Sequence, residues 1–151
     1  MPFRFPLDGL LRLRATLTQQ EEIRLESIAL QLNIARKELE ALQQRRQEFD
    51  RRLQADLRQG TLAGEMQLRL VGRRGLREAE QRLARAIAEL QRAWSDQRER
   101  FKEARQRQEV LESVRQNQFT SYREQQRRRD QQLIDDLFQS RTHYHKGHKQ
   151  A

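Results

Sequence analysis

The stretch LESIALQLNIARKELEALQQRRQEFDRRL, from Leu25 to Leu53, decides the fold. Its apolar residues recur at intervals of three and four, the spacing that keeps one stripe of a helix against a partner helix. The positions of this stripe are Leu25, Ile28, Leu32, Ala35, Leu39, Leu42, polar Arg46, Phe49 and Leu53. The pattern predicts a long α-helix that pairs with another helix.

Upstream, the same spacing continues through Leu10, Leu13 and Leu17. Reaching Leu25 through Glu21 then takes two successive steps of four, a stutter that locally relaxes a supercoil. Both prolines lie in the first six residues, and no glycine interrupts the chain from Leu10 to Arg58. The sequence therefore predicts an extended segment over residues 1–9 and a first helix over residues 10–58.

A second stripe follows residues 59–65, which contain two glycines and are predicted to form a turn. Its positions are Leu76, Glu80, Leu83, Ile87, Leu90, Trp94, Gln97, Phe101, Ala104, Gln108 and Leu111. A short turn makes neighbouring helices antiparallel, so residue i should lie near about residue 125 − i. The predicted fold is all-α, a long antiparallel two-helix coiled coil whose second helix spans residues 66–141.

Residues 116–141 have no predicted partner in the first helix and should overhang the paired region. The apolar residues near the end of this overhang are Leu133, Ile134, Leu137 and Phe138. Their spacing places them on one face of the helix. Two interpretations stay open: a docking surface for another protein, or a surface partly covered by Phe3, Phe5 and Leu7 folding back from the N-terminus.

The chain has 151 residues and a net charge of +9, with 35% hydrophobic and 35% charged residues. Basic residues outnumber acidic ones by 11 to 9 over residues 1–58, by 13 to 8 over 66–115 and by 7 to 4 over 116–151. Such mixed charge is typical of solvated helix faces. A basic coiled coil that binds nucleic acid or an anionic membrane is the competing interpretation, with nucleic acid disfavoured because the arginines lack interleaved aromatics.

No catalytic constellation is recognisable in the sequence. Cysteine is absent, no phosphate-binding or H-E-x-x-H motif occurs, and a two-helix coiled coil encloses no pocket. We therefore expect no enzymatic activity, no cofactor and no small-molecule substrate. The histidines His143, His145 and His148 have the spacing of a metal site, but a disordered basic tail over residues 142–151 is the favoured interpretation. No apolar run has the length of a membrane span or signal peptide, so we expect a soluble cytoplasmic chain.

Three stretches resemble a known family. The opening FRFPLDGLLRLR, Phe3 to Arg14, resembles the start of the bacterial flagellar export protein FliJ, and QEFDRRLQADLRQGTLAGEMQ, Gln47 to Gln67, is similar to the family's turn. The closing VLESVRQNQFTSYREQQRRRDQQLIDDLF, Val110 to Phe138, is similar to its final segment. The resemblance covers nearly the whole chain.

This resemblance implies a role in flagellum biogenesis and, through it, in chemotaxis. It implies a cytoplasmic stalk of the flagellar type III export apparatus, peripheral to the inner face of the cell membrane at the flagellar base. The implied partners are the hexameric export ATPase, the membrane export-gate protein and export chaperones. The stalk of an injectisome type III secretion system is the nearest alternative.

The family's gate-binding surface corresponds to the start of the second helix, where Leu76, Ala79 and Leu83 stand at the matching positions. Leu76 and Leu83 are also residues of the predicted stripe. Gly72 stands where the family has an aromatic residue, and with Gly75 it predicts a locally soft helix start that could deform on binding.

Overall fold

The computed structural model describes residues 2–147, with the side chains of residues 145–147 left aside, and contains two long helices packed against each other. Helix α1 spans Asp8–Gln59 and helix α2 spans Ala63–Gly147, and the described residues contain no β-strand. The predicted all-α, two-helix fold is confirmed. Both helices are longer than predicted at each end.

Helix α1 begins where the chain leaves its prolines. The Asp8 amide donates a hydrogen bond to the Phe5 carbonyl at 3.2 Å, and the Asp8 carboxylate pairs with Arg12 at 2.8 Å. An acidic side chain in the first turn is favourable because the helix dipole is positive there. These local bonds start the helix two residues before the predicted position.

Helix α1 ends at a left-handed glycine. Gly60 has φ of +82°, a conformation that residues with a Cβ rarely adopt. The Thr61 hydroxyl donates to the Asp56 carbonyl at 2.8 Å, which satisfies one of the carbonyls left free at the helix end. The chain then enters α2 at Ala63, so the turn is shorter than predicted.

Residues 17–104 form one compact unit in which the two helices pair. Its core is a narrow seam in which Leu32, Ala35 and Ile87 are buried and Leu39, Leu83 and Leu90 pack against them. Ion pairs fix the register: Arg46 meets Glu80 at 3.0 Å, Arg73 Nε lies 2.9 Å from Asp50, and Arg69 contacts Asp56. These pairs match the predicted antiparallel register within two residues.

The second compact unit comprises the described parts of residues 1–16 and 105–151. Leu11 is buried in it, and Leu11 lines one groove with Arg115, Gln116 and Phe119 of α2. Phe5 is also buried, at 8% exposure. The N-terminal segment is therefore part of a packed structure.

The predicted stutter is absent. The buried or half-buried positions of α1 include an unbroken heptad series: Leu11, Arg14, Thr18, Glu21, Leu25, Ile28, Leu32, Ala35, Leu39, Leu42, Arg46, Phe49, Leu53 and Asp56. Leu10, Leu13 and Leu17 are 38–54% exposed, so their predicted place in the seam is wrong. Leu11 and Thr18 occupy the seam because they keep the seven-residue period without the four-residue steps that a stutter requires.

The predicted seam of α2 is confirmed at every position, since Leu76 to Leu111 are buried or half-buried at the heptad sites. The seam also begins earlier than predicted, with half-buried Met66, Arg69 and Arg73. Arg69 and Arg73 are two successive charged heptad positions between Met66 and Leu76, so the apolar pattern does not extend back through them. Their ion pairs to α1 allow them to occupy these sites.

The helix ends differ from the predicted boundaries at the C-terminus as well. Helix α2 continues through residues 142–147, which were predicted to be disordered, and residues 148–151 lie outside the described range. The Thr142 hydroxyl donates to the Phe138 carbonyl at 2.6 Å, a bond that leaves the helical turn intact.

Candidate partner-binding surfaces

The residues predicted to bind the export gate lie at the helix pair. Leu76, Ala79 and Leu83 are half-buried, and Leu83 packs against the core of the seam. A partner that contacts these side chains fully must therefore open the helix pair locally, or use only their exposed edges. Binding through these three positions stays a proposal.

Gly72 makes room for an aromatic ring from the other helix. A Cβ at Gly72 would lie 3.4 Å from Cζ of Phe49, an ordinary van der Waals contact. Phe49 is half-buried and belongs to the seam of α1. The family resemblance predicts an aromatic residue on α2 at position 72. At this level of the helix pair the aromatic ring instead comes from Phe49 of α1.

Three strongly exposed apolar side chains surround the turn, and sequence analysis missed them. Leu62, Leu68 and Val71 are each more than two-thirds exposed, and we call them the turn surface. They stand outside the heptad positions, so a search for the seam passes over them. Apolar side chains off the seam at the start of a helix were the signal available in the sequence.

Arginines dominate the side of α2 next to the turn surface. Arg73, Arg74 and Arg77 line a shallow groove with Leu70 and Glu78. Arg74 forms an exposed i, i+4 ion pair with Glu78 at 3.2 Å, and such pairs contribute little to stability. This groove offers positive charge beside apolar side chains, a combination that suits an acidic protein surface.

The second candidate is the C-terminal surface, which we define as Leu133, Ile134, Leu137 and Phe138. These side chains are 55–73% exposed in the described structure. Ile134, Leu137 and Phe138 line one shallow groove with Arg141 and Tyr144. Four large apolar side chains clustered on a wet helix face are the usual sign of a contact with another protein.

The C-terminal surface does not continue the seam of α2. Extending the heptad series beyond Leu111 gives Arg115, Gln118, Tyr122, Gln125, Arg129, Gln132, Asp136 and Gln139, of which only Tyr122 is half-buried and the others are polar and exposed. With 3.6 residues per turn, Ile134 and Leu137 lie on a different side of the helix from this series. The continuous seam therefore ends at Leu111, and the C-terminal surface begins about six turns later.

The N-terminal segment covers a different part of α2 from the C-terminal surface. The Phe3 ring packs edge-on against Phe119, with centroids 5.4 Å apart, and lies 5.6 Å from Tyr122. The guanidinium of Arg123 lies over the Phe119 ring, 5.9 Å from its centroid. Phe3 thus gives the predicted overhang a contact near its start, and the C-terminal surface remains exposed.

The described residues contain no group of three or more histidines and acidic residues that could hold a metal ion. His143 lies on α2, and the side chains of His145 and His148 fall outside the described part of the chain. The possible histidine site is therefore untested. Among the described helices, none has an apolar run long enough to cross a membrane.

The model of the flagellar FliJ protein family matches residues 3–148. The chain belongs to this family. Comparison with curated proteins and with solved structures gives no significant match.

Membership of the FliJ family confirms the resemblance drawn from the N-terminal, turn and C-terminal stretches. It makes the chain a component of flagellar protein export and flagellum biogenesis, within a family of non-catalytic export components. Its interactions accordingly belong to the flagellar export apparatus. The surfaces described above are the candidate sites for those interactions.

Proposed function

We propose that this FliJ-family chain is the stalk that links the hexameric export ATPase to the membrane export-gate protein and assists export chaperones. The observation that carries the proposal is the pairing of two long helices along a narrow seam, with two separate apolar surfaces left on α2. Two exposed apolar surfaces can each bind a partner protein without a pocket or a reaction. Catalysis has no part in this role, which supports a non-enzymatic chain.

Each of the two surfaces binds a different partner. We assign the ATPase to the C-terminal surface, because it offers a protein partner four neighbouring apolar side chains that are each more than half exposed. The gate protein is assigned to the turn surface with the neighbouring gate positions Leu76, Ala79 and Leu83. The arginine groove beside them suits an acidic contact.

Location follows from this assignment. A chain held by the gate protein sits at the inner face of the cell membrane without inserting into it. Peripheral association with the membrane at the flagellar base is therefore part of the proposal. Any effect on chemotaxis is indirect, through assembly of the flagellum.

The test measures binding of purified chain to the export ATPase and to the gate protein by titration. Leu133→Ala combined with Phe138→Ala should weaken ATPase binding by roughly tenfold or more, since these side chains are apolar anchors. Helicity and melting temperature should stay nearly unchanged, because both residues are exposed.

Leu68→Ala combined with Val71→Ala is the matched control, since it truncates two equally exposed apolar residues of the same helix. It should leave ATPase binding intact and weaken gate binding. If both variants lost ATPase binding and gate binding to the same extent, the assignment would be contradicted. A large loss of helicity in the first variant would show that the C-terminal surface is internal core.

A further inference from the structure

The exposed face of α2 around the C-terminal surface has a palindromic arrangement. Its consecutive positions are spaced by one or three residues and are all exposed: Arg127, Asp130, Leu133, Ile134, Leu137, Phe138, Arg141 and Tyr144. With 3.6 residues per turn they occupy one side of the helix. The spacing reads the same in both directions about a point midway between Asp135 and Asp136.

A palindromic face can pair with itself. When two copies lie antiparallel about that midpoint, Leu133 meets the second copy's Phe138 and Ile134 meets its Leu137. A two-fold axis repeats every such contact, which is the condition for a closed, isologous dimer. Each apolar side chain of the C-terminal surface thereby receives an apolar partner.

Charge supports the same register. Asp130 meets Arg141 of the second copy, once on each side of the axis, and among the described residues neither has an ion-pair partner within its own chain. Arg127 lies opposite Tyr144, whose ring is 68% exposed, at a position suited to a cation–π contact. Asp135 and Asp136, the acidic residues nearest the two-fold axis, lie on the other side of the helix. Asp135 accepts a hydrogen bond from Gln131 there, at 3.0 Å.

Net charge does not oppose the pairing strongly. Residues 127–144 carry four arginines and three aspartates, so each paired segment has a net charge of only +1. The contact spans 18 residues, about 27 Å of helix. That length is short for a permanent interface, so the dimer should form at about 10–100 µM.

We propose that the C-terminal surface binds the same surface of a second copy of this chain, in an antiparallel two-helix contact centred between Asp135 and Asp136. The self-pairing goes beyond the stalk role and does not depend on it, whereas its consequence for ATPase binding rests on that proposed function. Self-pairing covers the side chains assigned to the ATPase, so a chain in the dimer cannot bind the ATPase through them. The dimer would then be a resting form that partner binding dissociates.

The test uses the full chain in sedimentation velocity from about 2 to 300 µM, a range that brackets the expected dissociation constant. Asp130→Arg places two arginines opposite each other, and Arg141→Asp places two aspartates opposite each other. Each single variant should weaken self-association by roughly tenfold or more. An equimolar mixture of the two variants restores both opposite-charge pairs, so the mixture should dimerise like the unmodified chain.

Asp135→Arg is the matched control, because it makes the same charge change on the far side of the helix and should dimerise normally. Nitroxide labels on Gln125→Cys add the geometry, since the chain has no other cysteine. The antiparallel register separates the two labels by about 30 Å along the axis, whereas parallel pairing brings them within about 20 Å. A chain that stays monomeric at 300 µM, a mixture that fails to dimerise, or a parallel label distance would overturn the proposal. ATPase binding by the same variants reports separately on the stalk role.

Discussion

Arg46 and Glu80 place a charge pair in a seam that is otherwise largely apolar. Their side chains meet at 3.0 Å, and Glu80 is the more deeply buried of the two. Gln97 adds a second polar contact, donating to the Glu21 carbonyl at 3.1 Å and to the Glu21 carboxylate. Polar contacts between helices add little net stability, but they disfavour shifted registers in which a buried charge would lose its partner.

The glycine at position 72 gives a prediction at the residue scale. Gly72→Ala should raise the free energy of unfolding by about 0.5–1 kcal/mol, because alanine stabilises a helix interior and the new Cβ meets the Phe49 ring at an ordinary contact distance. Chemical denaturation monitored by circular dichroism measures this change. Native-state hydrogen exchange at residues 70–77 tests the associated softness of the helix start, and the substitution should slow it.

Gly75→Ala is the control, because nothing lies within 4 Å of a Cβ at that position. It should stabilise the helix by a similar amount without any contact across the pair. A loss of stability in Gly72→Ala alone would show that the Phe49 ring cannot yield to a methyl group. Exchange as slow at residues 70–77 as at residues 85–100 in the unmodified chain would contradict the soft helix start.

At the scale of a helix, stability depends on a seam rather than on an enclosed core. None of the described side chains is completely buried, and the most buried apolar residues retain 7–9% exposure. Each seam residue therefore contributes a moderate amount of buried apolar area. The pairing is the sum of many such contributions along the two helices.

Two nearby leucines of α1 differ in burial, because one lies in the seam and the other on the exposed face. Leu32 is 7% exposed and Leu30 is 62% exposed, two residues away on the same helix. Leu32→Ala should cost about 2–3 kcal/mol of unfolding free energy, because it removes buried methyl groups and leaves a gap beside Ile87. Leu30→Ala should change it by less than about 0.5 kcal/mol.

Thermal and urea unfolding of both variants measure the difference. Similar losses in the two variants would mean that the wet face of α1 is covered by another copy or by a different packing. Identical substitutions on one helix make intrinsic helix propensity the same in both cases, so only burial differs.

Periodicity predicted the helices and most of the seam, because a seven-residue repeat of leucines admits few alternatives. It failed near the N-terminus, where Leu10 and Leu11 are adjacent and each begins an acceptable series. The choice depends on continuing the period through Thr18, a polar residue that a search for apolar positions passes over. It also missed Arg69 and Arg73, whose seam positions depend on acidic partners in α1.

The contact of Phe3 with Phe119 and Tyr122 could not be read from spacing either, because it joins an irregular segment to a helix more than a hundred residues away. The C-terminal surface was predictable as an apolar cluster. Its place off the seam follows from the phase of α2, which the predicted heptad positions already contained and the structure confirms through Leu111.

For the whole molecule, the net charge of +9 raises the question of nucleic-acid binding. Charge-driven binding to duplex DNA should weaken by about a thousandfold between about 50 and 200 mM salt, because phosphate contacts release counterions. Binding of the export ATPase through apolar side chains should weaken far less over the same range. Fluorescence anisotropy with labelled DNA and with labelled ATPase compares the two directly.

Tight DNA binding that persists at about 200 mM salt would favour the nucleic-acid interpretation over the stalk. The charge distribution argues against that result. Several arginines outside the seam already pair with neighbouring acids, as Arg105 does with Glu109 at 2.9 Å. Mixed charges of this kind keep a long helix solvated without creating a continuous positive track.

The aromatic contact between the first residues and α2 has a consequence for how the molecule is made. Synthesis proceeds from the N-terminus at about 5–20 residues per second, so Phe3 emerges on the order of ten seconds before Phe119 and Tyr122. Phe5, which is buried in the folded protein, is synthesised at nearly the same time as Phe3. During that interval both aromatic rings stay accessible to chaperones, and the Phe3 contact can form only after residues 119–122 have left the ribosome.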